Sequence, residues 1–139
     1  MNARIKDKIV ELEAYLAELE EILPRDFEEY STNFEKKAAC ERYFEKIIEA
    51  VVDLAFLAIK DARLKPPEED KQAFDLLAEA GVISPELAER LRNAKGMRNI
   101  IAHDYGSVDD ELVFHAVANE LEKDVKEFIA KARRGLQKS

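Results

Sequence analysis

Glu41–Ala55 reads ERYFEKIIEAVVDLA, and the apolar residues Ala58 and Ile59 continue it. Tyr43, Phe44, Ile47, Ile48, Val51, Leu54 and Ala55 recur at threes and fours, but together they cover more than one face of an ideal helix. A helix that is apolar on several sides needs neighbours on several sides, so this segment is predicted to be the central element of a helical bundle. Glu49 lies inside the run. It belongs either to an exposed rim or, if covered, beside a cation, for which Arg42 and Arg98 are the candidates. Pro66-Pro67 sets the latest point at which the helix ends.

On the N-terminal side, Ile5, Ile9, Leu12, Leu16, Leu19 and Leu23 carry one stripe of an amphipathic helix that Pro24 stops. Asp26 can cap a second helical stretch with Phe27, Tyr30 and Phe34, which Ser31-Thr32-Asn33 bends or interrupts. On the C-terminal side a short helix around Gln72–Ala80 is expected to close on a left-handed Gly81. Ser84-Pro85 is an N-cap followed by proline at the first helical position. The stripe Leu87, Leu91, Ala94, Met97 and Ile101 follows, with Gly106 as the expected terminator. Ser107 or Asp109 then caps a last helix carrying Val113, Val117, Leu121, Val125 and Phe128. No alternating strand pattern or repeat is present. The fold class is therefore all-α: an up-and-down antiparallel bundle of four to five main helices, with residues 1–139 forming a single domain.

Composition agrees. Of 139 residues, 47% are hydrophobic and 37% charged, with four glycines, four prolines and no tryptophan, which suits a helical globular chain. No apolar run reaches the roughly 20 residues of a membrane span, and the first residues alternate with charge, so a cytoplasmic protein is expected. Cys40 stands alone and reads as a small apolar helix residue. His103 and His115 lack companion ligands at metal-binding spacing, so no metal and no cofactor are expected. The formal charge of −8 argues against a generic nucleic-acid coat. Between Glu86 and Arg98, however, four cations (Arg90, Arg92, Lys95 and Arg98) face only two anions, which makes Arg90, Arg92 and Lys95 candidates for gripping an RNA backbone.

That island leads into GMRNIIAHDYG, Gly96–Gly106. On an ideal helix Arg98 and His103 stand about 140° apart, whereas Asn99 and His103 share a face. Asn99 is thus placed to orient the imidazole in support, and Arg98 meets His103 only if the helix loosens or a second copy of the chain contributes. An imidazole can exchange a proton near neutral pH, and a guanidinium can fork onto phosphate oxygens. The pair suits RNA cleavage without metal, with His103 moving protons at the ribose 2′-hydroxyl or the leaving 5′-oxygen and Arg98 stabilising charge on the phosphate.

Arg98-Asn99-Ile100-Ile101-Ala102-His103 resembles the R-polar-x-x-x-H signature of the HEPN superfamily, and Asp104-Tyr105 extends it to the RxxxxHxY form of its HepT toxin branch. The resemblance takes in nearly the whole chain, including ERYFEKIIEAVVDLA and LAERLRNAKGMRNIIAHDYGSVDDELV, in the family's order. Ala102 stands where a larger aliphatic residue is common. The resemblance implies a homodimeric, metal-independent endoribonuclease toxin of a toxin–antitoxin system, with catalytic Arg98 and His103 from both protomers in one cleft. It further implies a minimal nucleotidyltransferase antitoxin as partner, which transfers AMP to Tyr105. A second function uses the same residues: a non-catalytic helical nucleotide-binding or regulatory subunit of such a nucleotidyltransferase, with Arg98 and His103 gripping nucleotide.

Overall fold

The computed structural model describes residues 2–137, with side chains described for all of these except Tyr105 and residues 135–137. The helices are α1 (Ala3–Ile22), α2 (Phe27–Thr32), α3 (Phe34–Asp61), α4 (Asp70–Glu79), α5 (Pro85–His103), α6 (Asp110–His115) and α7 (Leu121–Gln137). A 3₁₀ turn, Tyr105–Ser107, follows α5, and a π turn, Ala116–Glu120, joins α6 to α7. Among the described residues there is no strand, and no helix is long and apolar enough to cross a membrane.

The long helix is central, as its pattern requires. Cys40, Phe44, Ile47, Ile48, Val51, Val52, Leu54, Ala55, Ala58 and Ile59 are all buried, and α1, α2, α4, α5 and α7 pack around them. The expected stripe of α1 is buried at Ile5, Ile9, Leu12, Leu16 and Leu19. Phe74 of α4 meets Phe128 of α7 edge to face, with ring centroids 6.3 Å apart, which ties the C-terminal helix to the small one. Phe27 and Tyr30 of α2 pack on Phe114 of α6, at 6.1 and 5.3 Å between centroids.

Local chemistry sets the boundaries. Asn33 closes α2 and caps α3 through its side chain, which accepts from the Lys36 N–H at 3.0 Å. Phe34 therefore begins the long helix rather than ending the aromatic face of α2, and it is 78% exposed. Gly81 has φ 79°, the left-handed value expected of it. Ser84 caps α5 through Leu87 N–H at 3.1 Å, with Pro85 at the first position. Gly106 does not end α5. The helix stops at His103, where Asp104 leaves helical geometry while its N–H still donates to Ile100 O at 2.8 Å. Gly106 sits inside the 3₁₀ turn, has no positive φ, and a Cβ built on it would meet nothing within 4 Å.

The π turn has a reason in the sequence. Val113, Val117, Leu121 and Val125 repeat every four residues, a spacing that rotates about 40° per step around an α-helix. A wider turn in the middle keeps all four buried. His115 precedes it and Asn119 lies within it, with Asn119 Nδ2 3.0 Å from His115 Nδ1.

Two buried groups yield predictions. Burial pushes the Cys40 thiol up to about 11, above the ordinary value near 8.5. Native protein should resist alkylation at pH 8 and react only when unfolded. From the unfolded thiol's pKa up to that of the folded one, the unfolded chain binds fewer protons, so stability should fall as pH rises through this window. A Cys40→Ala variant monitored by denaturant melts should lose that slope. Lys95 is only 9% exposed and reaches Asp70 on α4 at 3.2 Å. Removing the carboxylate leaves a covered ammonium unpaired. Asp70→Asn should therefore cost about 1–3 kcal/mol in the same melts.

Candidate functional site

Helix α5 carries the motif on its last two turns and aims its two charged members in different directions. Arg98 points back to the central helix, where its Nη2 donates to Glu49 Oε1 in an ion pair. The guanidinium is largely covered, its side chain being 16% exposed, and its Nε is buried without an acceptor. Arg42 does not compete for Glu49, because it pairs with Glu45 at 3.2 Å on its own helix. Of the two cations that the sequence offers Glu49, α5 supplies the partner. The pairing anchors Arg98 to the core of the bundle while leaving Glu49 nearly half exposed, so the carboxylate can be exchanged for another anion.

His103 is the last residue of α5 and is exposed. The chain leaves the helix immediately after it, and Asp104, Gly106 and Ser107 are exposed as well. Ser107 N–H donates to Asp104 O at 3.0 Å, which folds the turn under the helix end. Asp109 then caps α6, accepting from Glu111 N–H at 3.0 Å. The imidazole thus stands at the head of a short, hydrogen-bonded turn. Tyr105 lies in that turn; its side chain is outside the described residues.

The structure does not bring every expected group together. Asn99 shares the His103 face of α5, but among the described residues no hydrogen bond joins the two side chains; Asn99 lines the groove beside α6 instead. Arg90, Arg92 and Lys95, read from the sequence as an RNA-gripping island, each meet carboxylates of neighbouring helices. Arg90 pairs with Asp124 and Glu127 of α7 at 3.0 and 3.2 Å, Arg92 with Asp75 of α4, and Lys95 with Asp70. Local net charge in the sequence misses this, because the compensating acids sit far along the chain. Sequence reading also passed over two exposed apolar residues next to the motif, Ile100 at 42% and Leu112 at 58%. Their signal was present: both break the polar face of their helices.

Within the chain Arg98 and His103 therefore occupy different faces of α5, one turned to α3 and the other to solvent. Such an arrangement supplies a covered guanidinium for phosphate and an open imidazole for proton transfer. Among the described residues no three His, Cys, Asp or Glu side chains gather at a metal-holding distance.

Comparison with known proteins gives the same direction. The family described as ribonuclease HepT-like matches residues 12–132. The mRNA nuclease HepT of Shewanella oneidensis is 27% identical over 129 residues, covering 93% of this chain and 96% of that protein. A putative RNase of Archaeoglobus fulgidus is 35% identical over 91 residues, 66% of this chain and 67% of its own length. The structure of a tri-AMPylated Shewanella oneidensis HEPN toxin in complex with an MNT antitoxin superposes with a TM-score of 0.89 at 26% identity, covering 96% of this chain and 99% of that one. With the family match extending over nearly all of the bundle and including the Arg98–His103 segment, the chain belongs to the HepT-like ribonuclease family.

Proposed function

We propose that the protein is the endoribonuclease toxin of a toxin–antitoxin pair, acting in the cytoplasm as a homodimer without a metal ion. The observation that carries this reading is the geometry of α5, which commits Arg98 to the α3 side and leaves His103 open at the helix end. The two residues serve one phosphate when a second protomer faces the first, so that each motif completes the other.

In the proposed reaction the ribose 2′-oxygen attacks the adjacent phosphorus and the bond to the 5′-oxygen breaks. One His103 imidazole takes the 2′-hydroxyl proton, and the His103 of the second protomer, in its protonated form, gives a proton to the departing 5′-oxygen. Arg98 exchanges Glu49 for the phosphate and neutralises charge gathering on its oxygens. Asn99 stays in a supporting role on the same helix face. Phosphate contacts through Arg90, Arg92 and Lys95 would have to compete with their own carboxylates, so the chemistry rests on Arg98 and His103.

The partner proposed is a minimal nucleotidyltransferase antitoxin that transfers AMP to Tyr105, supported by the MNT complex and the AMPylation of the Shewanella relative. An adenylyl group two residues from His103 adds negative charge and bulk where RNA phosphate must sit.

Three results test the reading. Purified protein should cut RNA in EDTA and leave 2′,3′-cyclic phosphate ends, while Arg98→Ala and His103→Ala should each lose at least about 100-fold in rate with their thermal transitions retained. A requirement for added magnesium, or full activity in His103→Ala, is incompatible with it. Light scattering at micromolar concentration should give a dimer. Co-expression with the nucleotidyltransferase should add adenylyl mass to wild type and silence it, whereas Tyr105→Phe should gain no mass and stay toxic. Inhibition without added mass would instead assign control to complex formation.

A further inference from the structure

Among the described residues, one cation beside the motif has no carboxylate. A groove of about 510 Å³ runs between α5 and the start of α6, lined among others by Lys71, Arg92, Gly96, Asn99, Ile100 and Ser107. Arg92 is engaged by Asp75. Lys71 is exposed at the start of α4, and among the described residues no carboxylate lies within 4.0 Å of its ammonium. Its neighbour Asp70 is engaged by Lys95 across the α4–α5 interface. The acids of α4 that could have neutralised Lys71 are thus held by α5, and its charge stays directed at the groove.

Gly96 places that charge. Lys71 Nζ lies 3.4 Å from the point a Cβ would occupy on Gly96, so the ammonium rests on the bare backbone of α5 where any other residue would set a side chain. Gly96 and His103 are seven positions apart, which returns to within about 20° of the same helix face and advances about 10 Å along the axis. Ile100 lies between them on that face. A polyanion whose reacting phosphate is at His103 therefore passes Lys71 as it continues along α5, with the Asn99 amide and the Ser107 hydroxyl available beside its path.

We propose that Lys71 is a substrate-binding residue that holds a second, non-reacting phosphate of single-stranded RNA in the α5–α6 groove. This rests on the ribonuclease reading for the identity of the ligand. The pairing of Arg90, Arg92 and Lys95 within the protein, together with the unpaired state of Lys71, shifts the backbone contact from the sequence-adjacent cations to one brought in by α4. An ammonium suits such a contact, being a compact charge on a long stem that can follow a backbone not fixed in one conformation.

The test measures binding apart from cutting. Full-length His103→Ala protein is titrated with a fluorescent single-stranded oligoribonucleotide of about 12 nucleotides, in EDTA and at several salt concentrations. Adding Lys71→Gln should weaken binding about threefold to tenfold and reduce the slope of log affinity against log salt by about 0.7, the contribution of one phosphate on a single strand. Lys71→Arg should restore both. Unchanged affinity and slope overturn the proposal, as does weaker binding with an unchanged slope, which would mean a contact other than phosphate. A Lys71→Gln shift in the dimer dissociation constant with RNA affinity intact also overturns it and gives the groove to the second copy of the chain. Cleavage by protein retaining His103 is scored separately. RNA that is held through Lys71 but never cut leaves the groove assignment standing and removes the ribonuclease reading, while RNA that is cut with Lys71 silent does the reverse.

Discussion

Helix α3 leaves only a narrow stripe in water, marked by Arg42, Glu49, Asp53 and Lys60. Phe44, Ile47, Ile48, Val51, Leu54 and Ala55 point in several directions and each is buried, so the other helices are arranged by the need to cover them. Burial on this scale, at about 25 cal/mol per Å² of apolar surface, outweighs anything the surface ion pairs supply. Glu49 lies on the exposed stripe of this helix with Arg42, Asp53 and Lys60, flanked by buried Ile48 and Ala50. It is where the packed interior of the protein is connected to the motif, because the partner it holds is Arg98. The position of the guanidinium is thereby referenced to the central element of the bundle rather than to the helix end on which the motif lies.

Placement of the second charged member follows a different rule. His103 owes its exposure to the point at which α5 stops, and that point is set by Asp104 and the hydrogen-bonded turn after it. One residue of the motif is therefore fixed by packing and the other by chain reversal. Neither constraint strains the backbone: among the described residues the only positive φ values belong to Arg63 and Gly81, both remote from the motif in sequence.

Most of this architecture was legible in the sequence, for physical reasons that differ by element. Periodicity revealed α1 and α3 because nearly every apolar residue in their stripes is buried. Side-chain caps at Asp26, Ser84 and Asp109 mark helix starts with local chemistry that does not depend on the rest of the fold, whereas Asn33, read as a bend, turned out to cap α3. The end of α5 was not legible in this way. Gly106 looked like a terminator, but the helix had already stopped at Asp104, a residue with no comparable signature. The motif itself was readable as a pattern of residue types, and the poor alignment of Arg98 with His103 followed from helical spacing alone. What spacing could not supply was the fate of charge. Arg90 finds acids 34 and 37 residues away, and Lys71, on another helix, comes to rest on Gly96. Those partnerships exist only after the helices have docked.

The turn between α5 and α6 holds its shape through backbone hydrogen bonds and the Asp109 cap, and it makes no demand on Gly106, which has no left-handed φ and open space around its Cα. A glycine in a tight turn commonly answers a backbone need that other residues meet only with strain, and this one does not. A Cβ built there meets nothing within 4 Å, close to the histidine and in the turn that borders the groove. A substitution at Gly106 therefore changes the rim of the groove and leaves the packed bundle beneath it as it is.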